Sequence, residues 1–584
     1  MRFLALRIRH TSLGEWLTRG TQTVQRLRIR FFPLSYVEDR VKSLDFSHLE
    51  NLELPDCVAS TKEGEIESIL GGKKFALGNG NLEKMDIRAQ WEPARLQHVA
   101  VLTNALLQKQ ITARVANKVG DFAKKTVLDW IDANPFPHGV NYLSAMECAL
   151  RIPVFFSCIK TAPMGQDEGY KVLATIYQHA WLISKRLSLY SSLGNHTIAE
   201  CVGLVFAGAI FHNLSEGTSW LKKGVQLLEQ ESTHQILEDG GPCEQSFSYH
   251  RFVLDLYWLA TNFLGKNRIR DCSGVKQRLS QGEQFLAAFG DNNGSLPGIG
   301  DSDDGHAVAP GVFPRRPAIN RKPEQLEIFE QTGYSVINSQ EGVKLTFDHG
   351  PLGMAPLYNH GHADALSITL SKNGKGLLVD PGTYRYNGVP EFRRYFKGTR
   401  AHNTVTIDGL DQAVQETGFI WSKPYESVLE KSEEKDGEVF VQASHNGYSA
   451  LKEPVIHKRT ALYFDKTGFV VKDVFFGEGI HSFELNFHLH PDAVCNEEDG
   501  WLVIDHHQGE RIFLKLLGNH SFKLYSGEGN PPFGWYSPTY GIKMKSGVLS
   551  CLIEGTTEDV SFITAIGTES PLEIEAIERK ADLI

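Results

Sequence analysis

Cysteine is sparse and scattered. Eight residues occur in a chain of 584 (Cys57, Cys148, Cys158, Cys201, Cys243, Cys272, Cys495 and Cys551), with no C-x-x-C pair. That argues against a disulfide framework or a cysteine-held zinc module. No run of roughly 18 apolar residues is present, so no transmembrane helix is expected. Positive charge is not in excess: 60 Lys and Arg face 70 Asp and Glu, a net −10, which supplies no global basic field for nucleic acid. Hydrophobic residues at 41% and charged residues at 22% exclude a disordered chain, and 54 glycines are far too few for collagen. At roughly 150 residues per domain, the length suggests about four domains or two large ones. What is left is a large soluble protein with the proportions of an enzyme.

Residues 1–30 carry seven arginines and a single acid, Glu15. A charge interrupts MRFLALRIRH at every second or third position. The segment therefore lacks the uninterrupted apolar stretch of a secretory signal. It reads as a solvated basic helix, with contact to a membrane surface or an acidic partner as the alternative. Cytoplasmic placement is the default expectation; periplasmic or membrane-surface placement stays open.

Hydrophobic periodicity divides the rest in two. From about Trp91 to Phe289, apolar residues recur at three- and four-residue spacing, as in LQHVAVLTNALLQKQ and KVLATIYQHAWLISKRLSLYSS. Roughly eight such segments follow one another with short Gly-, Pro- or Asn-bearing breaks, which favours stacked antiparallel helical hairpins. After about residue 328 the period falls to two. LSITLSKNGKGLLVD, EVFVQAS and ALYFDKTGFVVKDVFF read as strands, and Asn373-Gly374 is a two-residue hairpin signal. The stretch 303–327, with Pro310, Pro314, Pro317 and Pro323, reads as a linker. The expected divisions are 1–90, a helical domain over 91–310, and an antiparallel β-sandwich over 311–584.

Chemistry-bearing residues concentrate after that junction. Tyr358-Asn359-His360-Gly361-His362-Ala363-Asp364 precedes a hairpin that ends at Asp380, and Thr399-Arg400-Ala401-His402 follows. His362, Asp380 and His402 come from successive sheet segments and could converge; two imidazoles and a carboxylate suit zinc, while hydrogen-bonded loop residues without metal are the bland reading. His488 and His490 could share one strand face, but no carboxylate partner is evident. Gly300-Asp301-Ser302-Asp303-Asp304-Gly305 resembles a calcium loop without its twelfth-position Glu, and reads as a turn joining domains. In the helical half, Gly194-Asn195-His196 and the run from Glu238 to His250 each open a helix; singly, such residues are more often caps than catalysts. Between Arg385 and Arg400, five basic residues face only Glu391. An acidic substrate could dock there, although a solvated basic loop has equal weight.

NHGHADALSITL, LLVDPGTYRYN and TRAHNTVTIDG resemble the C-terminal motifs of the heparinase II/III-like polysaccharide lyases. QWEPARLQH, ANPFPHGVNYLSAMECALRI, SLGNHTIAE, EDGGPCEQSFSYH and GIGDSDDG agree with the helical half in order, so the resemblance spans roughly 75–560. It implies an α+β multidomain chain, an (α/α) toroid, often an incomplete barrel, followed by an antiparallel β-sandwich. It implies β-elimination on a uronate-containing acidic polysaccharide or oligosaccharide, such as a heparan sulfate-like glycosaminoglycan. Alginate-type oligouronates, a bacterial surface polymer and glycan binding without turnover are the alternatives; a hydrolase would need paired carboxylates. By motif position, Tyr249 matches the general acid, which is also the base for one epimer, and His360 the other base. Asn195 and His196 match the pair that neutralises the uronate carboxyl. His362, Asp380 and His402 match ligands of a structural zinc. Glu244, Arg400, Glu147 and Arg151 fall among further substrate-binding positions. Tyr142, where Trp is common, and Pro242-Cys243, where His is expected, depart from the pattern. A homodimer is compatible with the family.

Overall fold

The structure is a computed structural model that describes residues 34–60, 62–72, 86–190, 193–291, 294–303 and 305–584. The basic segment 1–30 and Asp304 lie outside the described residues. The chain forms two compact units that interleave in sequence. A helical unit takes the described residues up to Gln235, with Arg251–Ser280 and Gly305–Ala318. A sheet unit takes Ile236–His250, Gln281–Asp304 and Ile319–Ile584. The two units interleave across the expected divisions at 90 and 310. Described residues before Trp91 join the helical unit: Arg40 pairs with Glu216 at 2.8 Å, and Lys160 donates to the Leu49 carbonyl at 2.6 Å. The proline-bearing stretch is more than a linker, because Val312–Pro314 pairs antiparallel with Cys57–Ala59.

The main helices are α1 (Gln97–Leu107), α2 (Ala113–Ala133), α3 (Ala145–Thr161), α4 (Gln166–Lys185), α5 (Asn195–Ile210), α6 (Ser215–Gln235), α7 (Phe247–Lys266) and α8 (Ser273–Phe289). Helix α3 packs on both α1 and α5, with α2 against α1 and α3, α4 against α3 and α5, and α6 against α5. Burial follows from the pattern of each helix. Of the sixteen residues of α5 all but His196 are buried, whereas α2 buries only Val119, Gly120, Ala123 and Val127 along one stripe. A helix apolar all round belongs inside, and one with a single stripe belongs outside. Among the described residues the helices form an inner and an outer row and close no barrel.

The sheet unit holds three large antiparallel sheets. One has five strands, in the order Leu326–Phe329, Tyr334–Asn338, Val343–Asp348, Ile368–Lys372 and Lys375–Leu378. Another has four and the largest has eight. Leu345 and Phe347 of the five-stranded sheet, Phe483 and Leu485 of the four-stranded sheet, and Val441, Val471 and Ile566 of the eight-stranded sheet meet in one dry core. That is a sandwich, with the smaller sheets facing the largest. Asn373 and Gly374, both at positive φ, turn the hairpin between Ile368–Lys372 and Lys375–Leu378, as the sequence predicts. All eight cysteines are free. Among the described residues, no helix is long and apolar enough to cross a membrane.

Candidate active site and metal centre

The site in the sheet unit starts from the way α7 begins. Phe247 lies 4.7 Å from Phe289 and 5.3 Å from Tyr334 between ring centroids, inside an aromatic cluster on the five-stranded sheet. Each such pair is worth about 0.5–1.5 kcal/mol beyond its buried area. Two serines then fix the register. Ser246 donates to the Asp301 carbonyl and Ser248 to the Asp303 carbonyl, each at 2.6 Å. Gly300, at φ +67°, lets the chain approach closely, since a Cβ there would lie 2.1 Å from the Gln245 carbonyl oxygen. Gly361 plays the same part opposite: its Cβ would lie 1.6 Å from the Leu352 carbonyl oxygen. The Asp301 N–H donates to the His360 carbonyl at 2.8 Å, which joins the two segments.

These contacts stack the Tyr249 ring on the His360 imidazole, 4.0 Å between centroids. The Tyr249 hydroxyl donates to Asp303 Oδ2 at 2.8 Å and lies 3.0 Å from the Tyr386 hydroxyl. His360 Nδ1 lies 3.1 Å from Asp301 Oδ2, and its Nε2 lies 3.9 Å from Glu244 Oε1. Asp301 is fully buried and ties the centre together. It accepts two bonds from Arg393 (2.5 and 2.9 Å), one from Thr383 (3.3 Å) and one from His362 Nε2 (3.2 Å). Burial pushes the Asp301 carboxyl up, but the Arg393 guanidinium and the two imidazoles hold it well below the usual carboxylate range. Burial works against the charged form of His360 as well, yet Asp301, Glu244 and Asp303 raise its pKa above the ordinary value. The result is a phenol and an imidazole in contact, each hydrogen-bonded to its own carboxylate. Such a pair can give and take protons at neighbouring points.

His362, Asp380 and His402 converge, all buried, with one ligand atom from each within 4.8 Å of the others. Ring protonation shows that the set fits a cation. A carboxylate and a carbonyl can only accept, so His362 carries its proton on Nε2, toward Asp301, and His402 on Nδ1, toward the Gly398 carbonyl at 2.8 Å. The lone pairs of His362 Nδ1 and His402 Nε2 then face each other at 3.2 Å, with Asp380 Oδ2 3.6 Å from His402 Nε2. Facing lone pairs repel unless a positive ion lies between them, and edges of roughly 3.3 Å are those of a tetrahedral site with ~2.0–2.1 Å bonds. Burial lowers both imidazoles and, together with Asp364, pushes Asp380 well above the usual range. A divalent cation offsets that cost. A second group, His490, Asp492 and His506, is more open to solvent. His488 turns away from it, toward the Arg400 carbonyl at 3.1 Å.

Family models agree with this architecture. The model described as "Heparinase II/III N-terminus" matches residues 89–309, and "Heparinase II/III-like, C-terminal" matches 321–565. The chain belongs to the heparinase II/III-like family. A heparin-sulfate lyase of Bacteroides stercoris is 26% identical over 430 residues, 68% of this chain and 60% of that protein. One of Bacteroides thetaiotaomicron is 24% identical over 51% of this chain and 47% of its own. The chain thus spans about half to three-fifths of the length of these relatives. A crystal structure of heparinase III superposes with a TM-score of 0.69 at 17% identity, covering 95% of this chain and 92% of that one. A heparan sulfate lyase from Pedobacter heparinus gives 0.55 at 16% identity, covering 92% and 88%. At these identities the likeness is one of fold.

The family's motif positions divide between the two units. Tyr249, His360, Glu244, His362, Asp380 and His402 gather in the sheet unit. Asn195 and His196 open α5 in the helical unit, after Gly194 at φ +117°. Glu147 and Arg151 are fully enclosed within the helical unit. Glu147 holds Arg95 through two bonds of 2.7 and 2.9 Å. Arg151 donates to His179 and to the Asn141 carbonyl, and lies 4.8 Å over the Trp130 ring. A buried charge needs such partners, and these two side chains brace helices. Arg400 forms a forked pair with Glu484, two bonds of 2.8 Å, and stacks on Phe533. The basic stretch is not an open patch, since Arg385, Arg393 and Lys397 are buried. Sequence reasoning missed Asp301, Asp303 and Tyr386, and it counted Arg393 only as charge. The signal was an acidic run hemmed by Gly300 and Gly305, which reads as a turn until Arg393 and the histidines are seen around it.

Proposed function

We propose that the protein is a polysaccharide lyase that cleaves a uronate-containing acidic polysaccharide or oligosaccharide by β-elimination, with a heparan sulfate-like glycosaminoglycan as its substrate class. The observation that carries the reading is the Tyr249 hydroxyl and His360 imidazole in ring contact at 4.0 Å, each on a carboxylate. The names of the heparin-sulfate lyases that the chain resembles support the substrate class.

A uronate carries a proton on C5 beside its carboxylate. Removing it builds an enolate whose charge is costly unless neutralised. Asn195 and His196 take that part by family resemblance; they lie in the first turn of α5, the positive end of the helix dipole. His360 removes the C5 proton, or Tyr249 does so for the other epimer, and Tyr249 protonates the departing O4. The electron pair of the C5–H bond becomes the C4–C5 double bond as C4–O4 breaks. Zinc is the cation that His362, Asp380 and His402 suit best, and its contribution is structural: it holds the loop that carries His360. His360 is oriented from the other side by Asp301, which also orients His362.

A panel of heparan sulfate, other glycosaminoglycans and alginate, followed by the ultraviolet absorbance of the unsaturated product, tests the reading. Absorbance should rise with at least one glycosaminoglycan. No rise with any uronate polymer, or a rise unchanged by Tyr249→Phe, would sink it.

A further inference from the structure

Three oxygen atoms meet beside His360. The Tyr249 hydroxyl donates to Asp303 Oδ2 at 2.8 Å, the Tyr386 hydroxyl donates to the same oxygen at 3.2 Å, and the two phenol oxygens lie 3.0 Å apart. An ionised carboxylate only accepts, so these three contacts share two protons. Were Tyr249 to ionise, its phenolate would face a carboxylate at hydrogen-bond distance, and like charges so close oppose ionisation. The opposite transfer, from phenol to carboxylate, runs against about six units of ordinary pKa difference, roughly a millionfold in equilibrium. Neither escape is favourable, so the proton stays on the phenol.

Other charged and titratable groups of the sheet unit also face Tyr249. His360 stacks on the ring, with Glu244 and Asp301 behind the imidazole. Arg393 lies 5.0 Å over the Tyr386 ring, but its charge is paired by Asp301. Asp303 itself is held in place, since Ser248 of the same helical turn as Tyr249 donates to its carbonyl.

We propose that Asp303 is the positioning residue that keeps Tyr249 protonated and aims its hydroxyl, so that it is poised as the acid for the epimer whose C5 proton goes to His360. The inference rests on the lyase reading for its place in the reaction. In that step the C5 proton goes to His360, the C–H electron pair forms the C4–C5 double bond, and O4 leaves with the Tyr249 proton. The proton gained by His360 returns to the phenolate, directly or through solvent.

The test is an alkaline titration of phenolate absorbance, taken as the difference between the protein and its Tyr249→Phe variant, and repeated in an Asp303→Asn background. The pH profile of kcat/KM accompanies it. In Asp303→Asn the Tyr249 phenolate should appear roughly 1–3 pH units lower, with the basic limb of kcat/KM moving down by the same amount. Tyr386→Phe removes a donor to the phenolate and should move the titration up, which serves if Asp303→Asn does not fold. A folded Asp303→Asn whose phenolate titrates as in the parent overturns the proposal. So does a uniform loss of kcat/KM with an unmoved basic limb, or a downward or absent shift in Tyr386→Phe. The titration needs no turnover. A parent without lyase activity overturns the functional reading alone, and the hold of Asp303 on the proton is still decided by absorbance.

Discussion

The helical unit and the sheet unit both bury charge, but they do so differently. In the helical unit fixed charges close on one another: Arg88 and Arg95 share Glu92, Arg95 also pairs with Glu147, and the Glu200 carboxyl accepts two bonds of 2.7 Å from Ser188. In the sheet unit carboxylates serve groups that can change charge. Asp301 serves Arg393, His360, His362 and Thr383, and Asp303 Oδ2 serves two phenols. His362 and His402 even present lone pairs to each other. Pairs of fixed charge stabilise; imidazoles, phenols and facing lone pairs leave a proton or an ion with somewhere to go. Burial alone does not distinguish structure from chemistry, and whether the partners can change charge does.

The contrast can be broken most sharply at Tyr249. Tyr249→Phe should lower kcat roughly a thousandfold, within the range for loss of a general acid, while thermal unfolding moves by no more than a few degrees. Glu147→Ala should do the reverse. It strands the buried Arg95 with Glu92 alone and should cost about 3 kcal/mol in urea unfolding, with an unchanged pH profile for the activity that remains. Asp301→Asn tests the shared acceptor: as the outer partner of His362 it should weaken metal binding roughly 10–100-fold, read by competition with a chelator.

A smaller effect sharpens the comparison through pH. Burial pushes the Glu200 carboxyl from its usual 4.5 to about 8, against its bonds from Ser188. The folded state thus holds that proton more tightly than the unfolded chain. The stability it contributes is fully present below pH 4.5 and is lost as pH rises toward 8, at up to about 1.4 kcal/mol per unit. Glu200→Gln should flatten that slope in unfolding measured across pH 5–8. Smallest is Arg400→Ala. Its pair with Glu484 is partly exposed, so unfolding free energy should fall by about 1 kcal/mol or less. A larger loss of activity than of stability would return Arg400 to the substrate.

Much of the fold is legible in residue spacing. The change of period near residue 328 separates helices from strands because a helix buries every third or fourth residue and a strand every second. The inner place of α5 is legible too, since its sixteen residues carry only one acid and no Lys or Arg. The interleaving of the two units is not. Ile236–His250 sits among helices in sequence, yet it belongs to the sheet unit because Phe247 packs on Phe289 and Tyr334, residues that no local pattern connects.

The same division holds for the chemistry. The sequence by itself determined which residue types were present at family positions: Tyr249, His360 and the His362, Asp380, His402 set. These motifs sit on short segments whose local order is fixed by glycines and hairpins. Only the tertiary structure decided their partners. Asp301 and Arg393 lie 92 residues apart, and Tyr249 and Asp303 lie 54 apart. It also decided that Glu147 and Arg151 face inward on helices. Hydrogen bonds and desolvation depend on distances of a few ångströms, and spacing along a chain does not specify those until the chain has folded back on itself.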